Sequence, residues 1–248
     1  MTGRSALITG GSAGIGLAVA SALAEDGWDL TIAARDQAKL DDAVAALSTG
    51  KNTVHAVSAN LAEDHAEAVV GQHLDVHGGL DLLVNNAGVG LIGPLEAKKA
   101  KALDLEIALN FRSAYRMMQA TIPALREAAG RHGASYIVNI SSMAARETPP
   151  NASAYVACKA ALVALGSSAH KEFSREGIHV TALLPGLVDT PGTSWADAAA
   201  RDQMLLTSDV AEAVRFVLRT SPRCFVPEIM LTSSGPGLHA LIDWDALG

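Results

Sequence analysis

A glycine-rich stretch near the start of the chain, TGGSAGIG at residues 9–16, limits the possible folds more than any other feature. The short apolar run SALIT precedes it, and apolar residues at helical spacing follow it as far as the helix-ending Gly27. The pattern predicts a buried strand, a tight turn and a helix in direct succession. Because glycine lacks a Cβ atom, such a turn can bring backbone N–H groups close to a ligand, and the helix N-terminus favours an anion such as phosphate.

The glycines of this turn follow the spacing G-x-x-x-G-x-G. This spacing differs from the dinucleotide fingerprint G-x-G-x-x-G and from the phosphate loop G-x-x-x-x-G-K-[ST]. The turn alone therefore leaves two interpretations open, a phosphate site and a glycine-rich loop that binds no ligand.

Strand and helix patterns continue to alternate along the chain and predict an α/β fold. Apolar runs of strand length occupy 5–9, 29–34, 53–59, 80–88, 135–141, 178–186 and 224–232. Stretches with helical spacing lie between them at 36–48, 62–77, 99–129, 153–175 and 208–219. We expect one doubly wound domain over residues 1–248, with a seven-stranded, mostly parallel sheet and helices on both faces. Ligands of such sheets bind beyond the carboxyl ends of the strands.

Composition excludes several classes of protein. With 49% hydrophobic and 18% charged residues, the chain of 248 residues is globular rather than disordered. A net charge of -7 argues against a nucleic-acid partner, and no apolar run is long enough to span a membrane. The first strand signal begins at residue 5, which leaves no room for a secretory signal, and two cysteines do not make a disulfide framework. We therefore expect a cytoplasmic protein.

Polar residues follow the later strand runs, where they would meet at one edge of the sheet. Asn85 to Gly88 follow the fourth run, and Ser141 and Ser142 follow the fifth. Further along, Tyr155 and Lys159 are four residues apart, so they share one face of a helix. A nearby cation favours the phenolate form of tyrosine, and a serine hydroxyl can hold a substrate oxygen beside the phenol. These residues predict a proton-transfer site.

Several motifs in fixed order resemble the short-chain dehydrogenase/reductase family. They are TGGSAGIG, NNAG, Asn110, Ser142, YVACK and the PG pair with Thr190, and they span nearly the whole chain. The resemblance implies a Rossmann-like domain and an oxidoreductase that transfers a hydride between a nicotinamide cofactor and a carbonyl or alcohol substrate. It also implies that the catalytic residues are Ser142, Tyr155, Lys159 and Asn110, with Tyr155 as general acid/base, Lys159 lowering the pKa of Tyr155, and Asn110 holding a water.

The same resemblance implies a set of cofactor contacts, which are Gly10, Ser12, Gly14, Ile15, Gly16, Arg35, Asn60, Leu61, Asn86, Ala87, Gly88, Tyr155, Lys159, Val188 and Thr190. Two departures from the family pattern stand out. Asn60 occupies the place where an aspartate is usual near the adenine, and MAARE after the serine pair lacks a glycine that many relatives have. Leu91, Met143 and Trp195 are predicted to form an apolar wall for the substrate.

Residues at the end of the second strand predict the choice of nicotinamide. NAD-binding proteins carry an acidic residue there, whereas this chain has Ala34 followed by Arg35, whose guanidinium can grip a 2′-phosphate. We therefore expect NADP(H) to be preferred over NAD(H). Asp36 would favour NAD if the strand ended one residue later, and otherwise serves as a helix N-cap. Ala13 stands where many NADP-binding relatives have a second basic residue, so the expected preference is modest.

Other residues with reactive side chains are predicted to have structural or surface roles. His73 and His77 are four residues apart, but no third ligand has metal-site spacing, so they are interpreted as a solvated helix face with no metal. Cys158 is interpreted as a small apolar helix residue. The basic residues Arg131, Lys171 and Arg175 are assigned to the solvated surface, although they could meet an acidic carrier or a phosphate.

Two alternative functions would need other sequence features, and one helix predicts self-association. A non-enzymatic NADP(H)-binding redox sensor would need the glycine turn but not the serine, tyrosine and lysine. A nucleotide-sugar epimerase or dehydratase would need a longer carboxyl-terminal region than the one that follows residue 232. The helix predicted at 153–173 is apolar around more of its circumference than one sheet face requires, which predicts a homo-oligomer, a tetramer or a dimer.

Overall fold

The computed structural model describes residues 3–235 and contains one sheet of seven strands. The strands are β1 (Ser5–Thr9), β2 (Asp29–Ala34), β3 (Val54–Ser58), β4 (Leu82–Asn85), β5 (Ser135–Ile140), β6 (Ile178–Pro185) and β7 (Glu228–Leu231). Their order across the sheet is β3-β2-β1-β4-β5-β6-β7, and every described pairing is parallel. The predicted doubly wound α/β fold is confirmed.

Helices connect successive strands and cover both faces. They are α1 (Gly14–Glu25), α2 (Gln37–Leu47), α3 (Ala66–His77), α4 (Ala100–Ile107), α5 (Ser113–His132), α6 (Ala144–Glu147), α7 (Ser153–Phe173), α8 (Ala198–Arg201) and α9 (Thr207–Arg219). The single helix predicted over 99–129 is α4 and α5 joined by a π-helical turn, Ala108–Arg112. No helix within the described residues has both the length and the apolar character needed to cross a membrane.

The core lies on the two faces of the sheet, and alternate strand residues point into each half. In β1, Ile8 belongs to the cluster shared with α1, α2 and α9, whereas its neighbour Leu7 belongs to the cluster shared with α3 and α5. Both side chains are fully buried. This two-residue period on both faces is why the strands read as continuous apolar runs.

The interpretation of His73 and His77 as a solvated face was wrong. His73 is fully buried: its Nε2 lies 2.9 Å from the carbonyl oxygen of Gly79, and its Nδ1 lies 2.8 Å from Thr31 Oγ1. His77 is half-buried with its Nε2 3.1 Å from the same hydroxyl. With Ser5 Oγ at the start of β1, 3.3 Å from Nε2, these polar partners offset the cost of burying a neutral imidazole. Within residues 3–235 no group of three or more His, Cys, Asp or Glu side chains is placed to hold a metal ion.

Burial of His73 predicts a loss of stability in mild acid. Burial lowers its pKa from 6.5 to about 4, so below pH 6.5 the unfolded chain binds a proton that the folded chain does not. The contribution is fully present above the unfolded pKa and is lost as pH falls through the window between the two values. We expect it to remove about 2 kcal/mol of unfolding free energy between about pH 7 and about pH 5.

Urea unfolding of the wild type and of His73→Gln at the two pH values measures this effect. The variant should show a smaller decrease on acidification, whatever its stability at neutral pH. His65→Gln, at an exposed position, is the control and should keep the wild-type decrease. An equal loss of unfolding free energy on acidification in the wild type and in His73→Gln would refute the assignment.

Candidate active site

The strand order places a crevice at the carboxyl ends of β1 and β4. From β1 the chain runs outward to β2 and β3, and it then returns to the other side of β1 to form β4. Connections therefore leave β1 and β4 in opposite directions, and a crevice opens between them, where doubly wound proteins bind ligands. The glycine turn follows β1, and residues 86–88 follow β4, so both border this crevice.

The glycine turn has a backbone that other residues would not fit. Gly10 and Gly14 have φ angles of 65° and 54°, in the left-handed region. A Cβ on Gly16 would lie 2.3 Å from the carbonyl oxygen of Gly10. At the N-terminus of α1, the N-cap residue Ala13 offers no side chain to cap the first backbone N–H groups of the helix. The turn thus brings bare backbone and a helix N-terminus to the crevice.

Asn86 and Thr9 fasten the glycine turn to the end of β4. The Asn86 side-chain amide donates to the carbonyl oxygens of Thr9 and Gly10, at 3.0 and 3.1 Å. The Thr9 hydroxyl accepts from the backbone N–H groups of Asn86 and Ala87 at 3.0 and 3.1 Å. Asn86 therefore supports the turn itself, and its contact with a cofactor stays a prediction.

Ser142, Tyr155 and Lys159 come together beside the crevice, as the sequence predicts. Ser142 follows β5, and its side chain is hydrogen-bonded to that of Tyr155 on α7. Lys159, one helical turn further, has its Nζ 5.6 Å from the centre of the Tyr155 ring. That Nζ donates to the carbonyl oxygen of Ile140 at 2.9 Å, and the Ser141 hydroxyl donates to the Lys159 carbonyl oxygen at 2.9 Å. These bonds fix α7 to the end of β5.

The protonation of this group differs from the expectation that Lys159 lowers the pKa of Tyr155. Burial raises the pKa of Tyr155 above 10, the Glu106 carboxylate adds to the increase, and the hydrogen bond with Ser142 opposes it. The physical reason is that desolvation of the phenol outweighs the favourable effect of its neighbours on the phenolate. Burial also lowers the pKa of Lys159 from 10.5 to about 8. At neutral pH both groups are protonated.

Asn110 lies in the π-helical turn between α4 and α5, and its side chain is occupied by backbone groups. Its Oδ1 accepts from the N–H of Val89 at 3.0 Å, and its Nδ2 donates to the carbonyl oxygens of Val89 and Glu106 at 2.7 and 3.0 Å. The side chain thus holds the segment after β4. π-Helical turns are frequent at functional sites, and this one points Asn110 toward that segment.

Half of the predicted site residues line one cleft of about 320 Å³. Its lining includes Ile15, Asn86, Gly88, Gly90, Asn110, Ser142, Tyr155, Lys159, Val188, Thr190 and Trp195. Gly10 and Gly14 line an adjoining cavity that also includes Thr190. Of the predicted substrate residues, Trp195 lies in the cleft. Leu91 does not line it, and the Met143 side chain packs in a buried cluster with Val163 and Leu184.

The remaining predicted cofactor residues lie along the same edge. Arg35 is exposed directly after β2, and Asp36 caps α2 by accepting from the N–H of Lys39 at 3.2 Å, as expected of an N-cap. Asn60 follows β3, where its Nδ2 donates to Glu63, and Leu61 is buried in the core. Ser12 and Ala87 are partly buried in the two loops that border the crevice.

Two residues of the site were not found from the sequence. Lys98 and Glu106 form a buried ion pair next to the Tyr155 helix, with Nζ and Oε2 2.5 Å apart. The one available signal was that Glu106 lies four residues before Asn110, hence on the same helix face.

Cys158 is buried, and burial raises the pKa of its thiol, in keeping with an apolar helix residue.

Comparison with known proteins identifies the family. The family model for the short chain dehydrogenase matches residues 4–200. The chain belongs to the short-chain dehydrogenase family. Members of this family that it resembles are oxidoreductases, and this chain is an oxidoreductase of the same type.

Relatives of this short-chain dehydrogenase match it over nearly its whole length. An uncharacterized oxidoreductase of Staphylococcus epidermidis is 31% identical over 229 residues, which are 91% of this chain and 95% of the relative. The 3-ketoacyl-(acyl-carrier-protein) reductase from Brucella melitensis, solved with NADH, superposes with a TM-score of 0.85 at 27% identity, covering 93% of this chain and 96% of that one. A short chain dehydrogenase from Burkholderia cenocepacia, solved with NADP, has a TM-score of 0.83 at 32% identity and covers 94% and 97%.

The packing of Gly16 predicts a sharp cost for a single methyl group. Gly16→Ala places a Cβ against the Gly10 carbonyl, so the turn must shift, and we expect it to lose about 1–3 kcal/mol of unfolding free energy. Gly71 in α3 is the matched control, because a Cβ there meets no atom within 4 Å. Gly71→Ala should be neutral or stabilising by up to about 1 kcal/mol, from helix propensity alone. Urea unfolding measures the change in unfolding free energy of both variants. Equal changes would contradict the close packing at Gly16.

Proposed function

We propose that this short-chain dehydrogenase transfers a hydride between NADP(H) and a carbonyl or alcohol substrate, with Tyr155 as general acid/base. The observation that carries the proposal is the hydrogen bond between Ser142 and Tyr155 in the cleft, with the buried ammonium of Lys159 one helical turn away. A redox sensor without catalytic activity has no use for this arrangement. The non-enzymatic alternative is therefore not favoured.

The residues at the crevice fit a nicotinamide dinucleotide. The glycine turn leaves a cradle that Cβ atoms would fill, and the N-terminus of α1 lies beside it without a capping side chain, as a pyrophosphate requires. We propose that Gly10, Ser12, Gly14, Ile15 and Gly16 hold the pyrophosphate and that Val188 and Thr190 hold the nicotinamide end. When bound, this cofactor supplies or accepts the hydride.

Ser142, Tyr155 and Lys159 each have a definite task in carbonyl reduction. The Ser142 hydroxyl and the Tyr155 phenol lie next to each other, so both can hydrogen-bond to one carbonyl oxygen placed beside the pair. Because burial keeps the phenol protonated at neutral pH, Tyr155 can donate its proton to that oxygen as negative charge develops. The ammonium of Lys159 then stabilises the phenolate. In alcohol oxidation the same phenolate accepts the proton.

The cleft favours an uncharged substrate. Among its described lining residues, Lys159 has the one charged side chain, and that ammonium is buried next to Tyr155. Ile92, Leu187 and Trp195 supply apolar lining, whereas Ser142 and Thr193 are polar. A ligand carboxylate or phosphate would lack a cationic partner at the substrate end. We therefore propose a neutral aldehyde or ketone of modest size.

Replacement of the phenol tests the catalytic assignment. Tyr155→Phe keeps the ring and removes the proton, so we expect turnover to fall by about 10²–10⁴-fold with nearly unchanged cofactor affinity. The measurement is consumption of NADPH with a panel of neutral aldehydes and ketones. Tyr115→Phe, at an exposed position on α5, is the control and should retain activity. Near-full turnover by Tyr155→Phe would overturn the proposal.

Arg35 is proposed to set the preference for NADP(H). Because it is exposed at the end of β2 and Asp36 is engaged as a helix cap, a guanidinium rather than a carboxylate is available near the adenosine ribose. We expect Arg35→Ala to weaken NADPH binding by about tenfold or more while NADH binding barely changes. Fluorescence titration with both cofactors measures this, with Arg175→Ala as an exposed control. A wild-type preference for NADH would contradict the assignment.

A groove between α5 and α7 is the proposed site of self-association. It is lined by Tyr115, Met118, Gln119, Ile122, Pro123, Leu165, Ala169, Glu172 and Phe173. Tyr115 leaves 47% of its surface exposed there. Burial of this apolar surface would stabilise a homo-oligomer, a dimer or a tetramer.

We expect light scattering at micromolar concentration to give a mass of at least two chains. Leu165→Arg, which places a charge in the groove, should lower that mass to one chain. Arg131→Glu, away from the groove lining, should leave the mass unchanged. A stable wild-type monomer would refute this assembly.

A further inference from the structure

A buried ion pair that the reaction above does not use lies close to Tyr155. The Lys98 and Glu106 side chains are 7% and 0% exposed, with Nζ and Oε2 2.5 Å apart. Burial of two charges is costly unless further hydrogen bonds satisfy them, and an apolar pair of similar size often stabilises a protein as well. The pair therefore calls for an explanation beyond stability.

Both charges of this pair bind the backbone of one loop residue, Leu91. The Glu106 Oε1 accepts from the N–H of Leu91 at 2.9 Å, and the Lys98 Nζ donates to its carbonyl oxygen at 2.5 Å. Leu91 lies after the end of β4 and outside the described strands, so sheet pairing does not satisfy these two backbone groups. The ion pair does so instead.

Asn110 binds Val89 in the same manner. Its side chain accepts from the Val89 N–H and donates to the Val89 carbonyl oxygen. Because Glu106 and Asn110 are one helical turn apart, they hydrogen-bond to the backbone of residues 91 and 89 from the same side of the helix. Gly90, held between the two, has its Cβ direction aimed at the Tyr155 ring, where a Cβ would lie 3.6 Å from Cδ2.

The geometry points to Lys98 and Glu106 as positioning residues for Tyr155: they hold the backbone of residues 89–91 in place beside the phenol ring, and so limit movement of the ring away from Ser142. This inference rests on the proposed role of Tyr155 in proton transfer. Two charged groups act on the phenol: the Glu106 carboxylate, on α4, raises the Tyr155 pKa, and the Lys159 ammonium, on α7, lies 5.6 Å from the ring centre.

A double variant separates positioning from stability. Lys98→Met with Glu106→Leu replaces the pair by apolar side chains of similar size, which offsets part of the cost of the two hydrogen bonds lost at Leu91, so we expect the thermal unfolding temperature to fall by no more than a few degrees. The Leu91 N–H and C=O lose their partners. We expect the Leu91 amide to exchange its hydrogen at least about tenfold faster, and kcat for carbonyl reduction to fall by about tenfold to a hundredfold, with unchanged affinity for NADPH.

Two further variants complete the experiment. Arg126→Gln with Glu176→Gln removes an exposed ion pair and should change neither kcat nor Leu91 exchange. Glu106→Gln keeps an oxygen acceptor for the Leu91 N–H but removes the charge, so it should lie between the wild type and the double variant in both readouts. If the double variant does not fold, the comparison of Glu106→Gln with the wild type decides.

Every outcome bears on the inference. Faster exchange at Leu91 together with lower kcat supports it. Faster exchange with wild-type kcat, lower kcat with wild-type exchange, or no change in either readout overturns it. Failure of the proposed function is distinguishable, because it would appear as an inactive wild type or as an active Tyr155→Phe variant, neither of which involves the ion pair.

Discussion

The buried ammonium of Lys159 is the constraint on which the rest of the site depends. An ammonium with little access to water must be compensated, and its described hydrogen bond, to the carbonyl oxygen of Ile140, uses one of its three N–H bonds. Burial lowers its pKa to about 8, so the cation persists at neutral pH, where β5 and α7 hold it in place. The bond from Ser141 to the Lys159 carbonyl oxygen fixes that geometry from the same strand.

Side-chain hydrogen bonds hold the loops that surround the cleft in place. Thr9 and Asn86 tie the glycine turn to β4 through four hydrogen bonds, so the turn keeps its open shape without help from a ligand. Further along the chain, residues 89–91 lie outside the described strands and are held by side chains from α4 and the π-helical turn. Such preorganised backbone lets a substrate meet fixed donors rather than mobile ones.

The strands and the main site residues could be predicted from the sequence because both rest on local patterns. β1 and β2 match the predicted runs 5–9 and 29–34 in full, since every position alternates between two buried faces. β7 is shorter than its predicted run 224–232 because Pro227 lacks the N–H that a longer ladder needs. Ser142, Tyr155 and Lys159 were found because their spacing is fixed along the chain.

What the sequence did not reveal depends on contacts between distant segments. His73 is buried by partners on β1, on β2 and in the loop after α3, and a helical spacing rule carries no information about them. The same holds for Lys98 and Glu106, whose shared partner Leu91 lies in an irregular loop. The charged neighbour of Tyr155 predicts a low pKa, but desolvation in the folded chain raises it.

The most direct test of this account is the turnover of Lys159→Met in carbonyl reduction with NADPH. Methionine nearly fills the volume of the lysine stem without its charge, so the fold should persist by circular dichroism. The account predicts that kcat falls by about a hundredfold or more, because the phenolate left on Tyr155 loses the cation that stabilises it. Turnover within a few-fold of the wild type, in a folded variant, would contradict the central claim that this buried ammonium supports proton transfer by Tyr155.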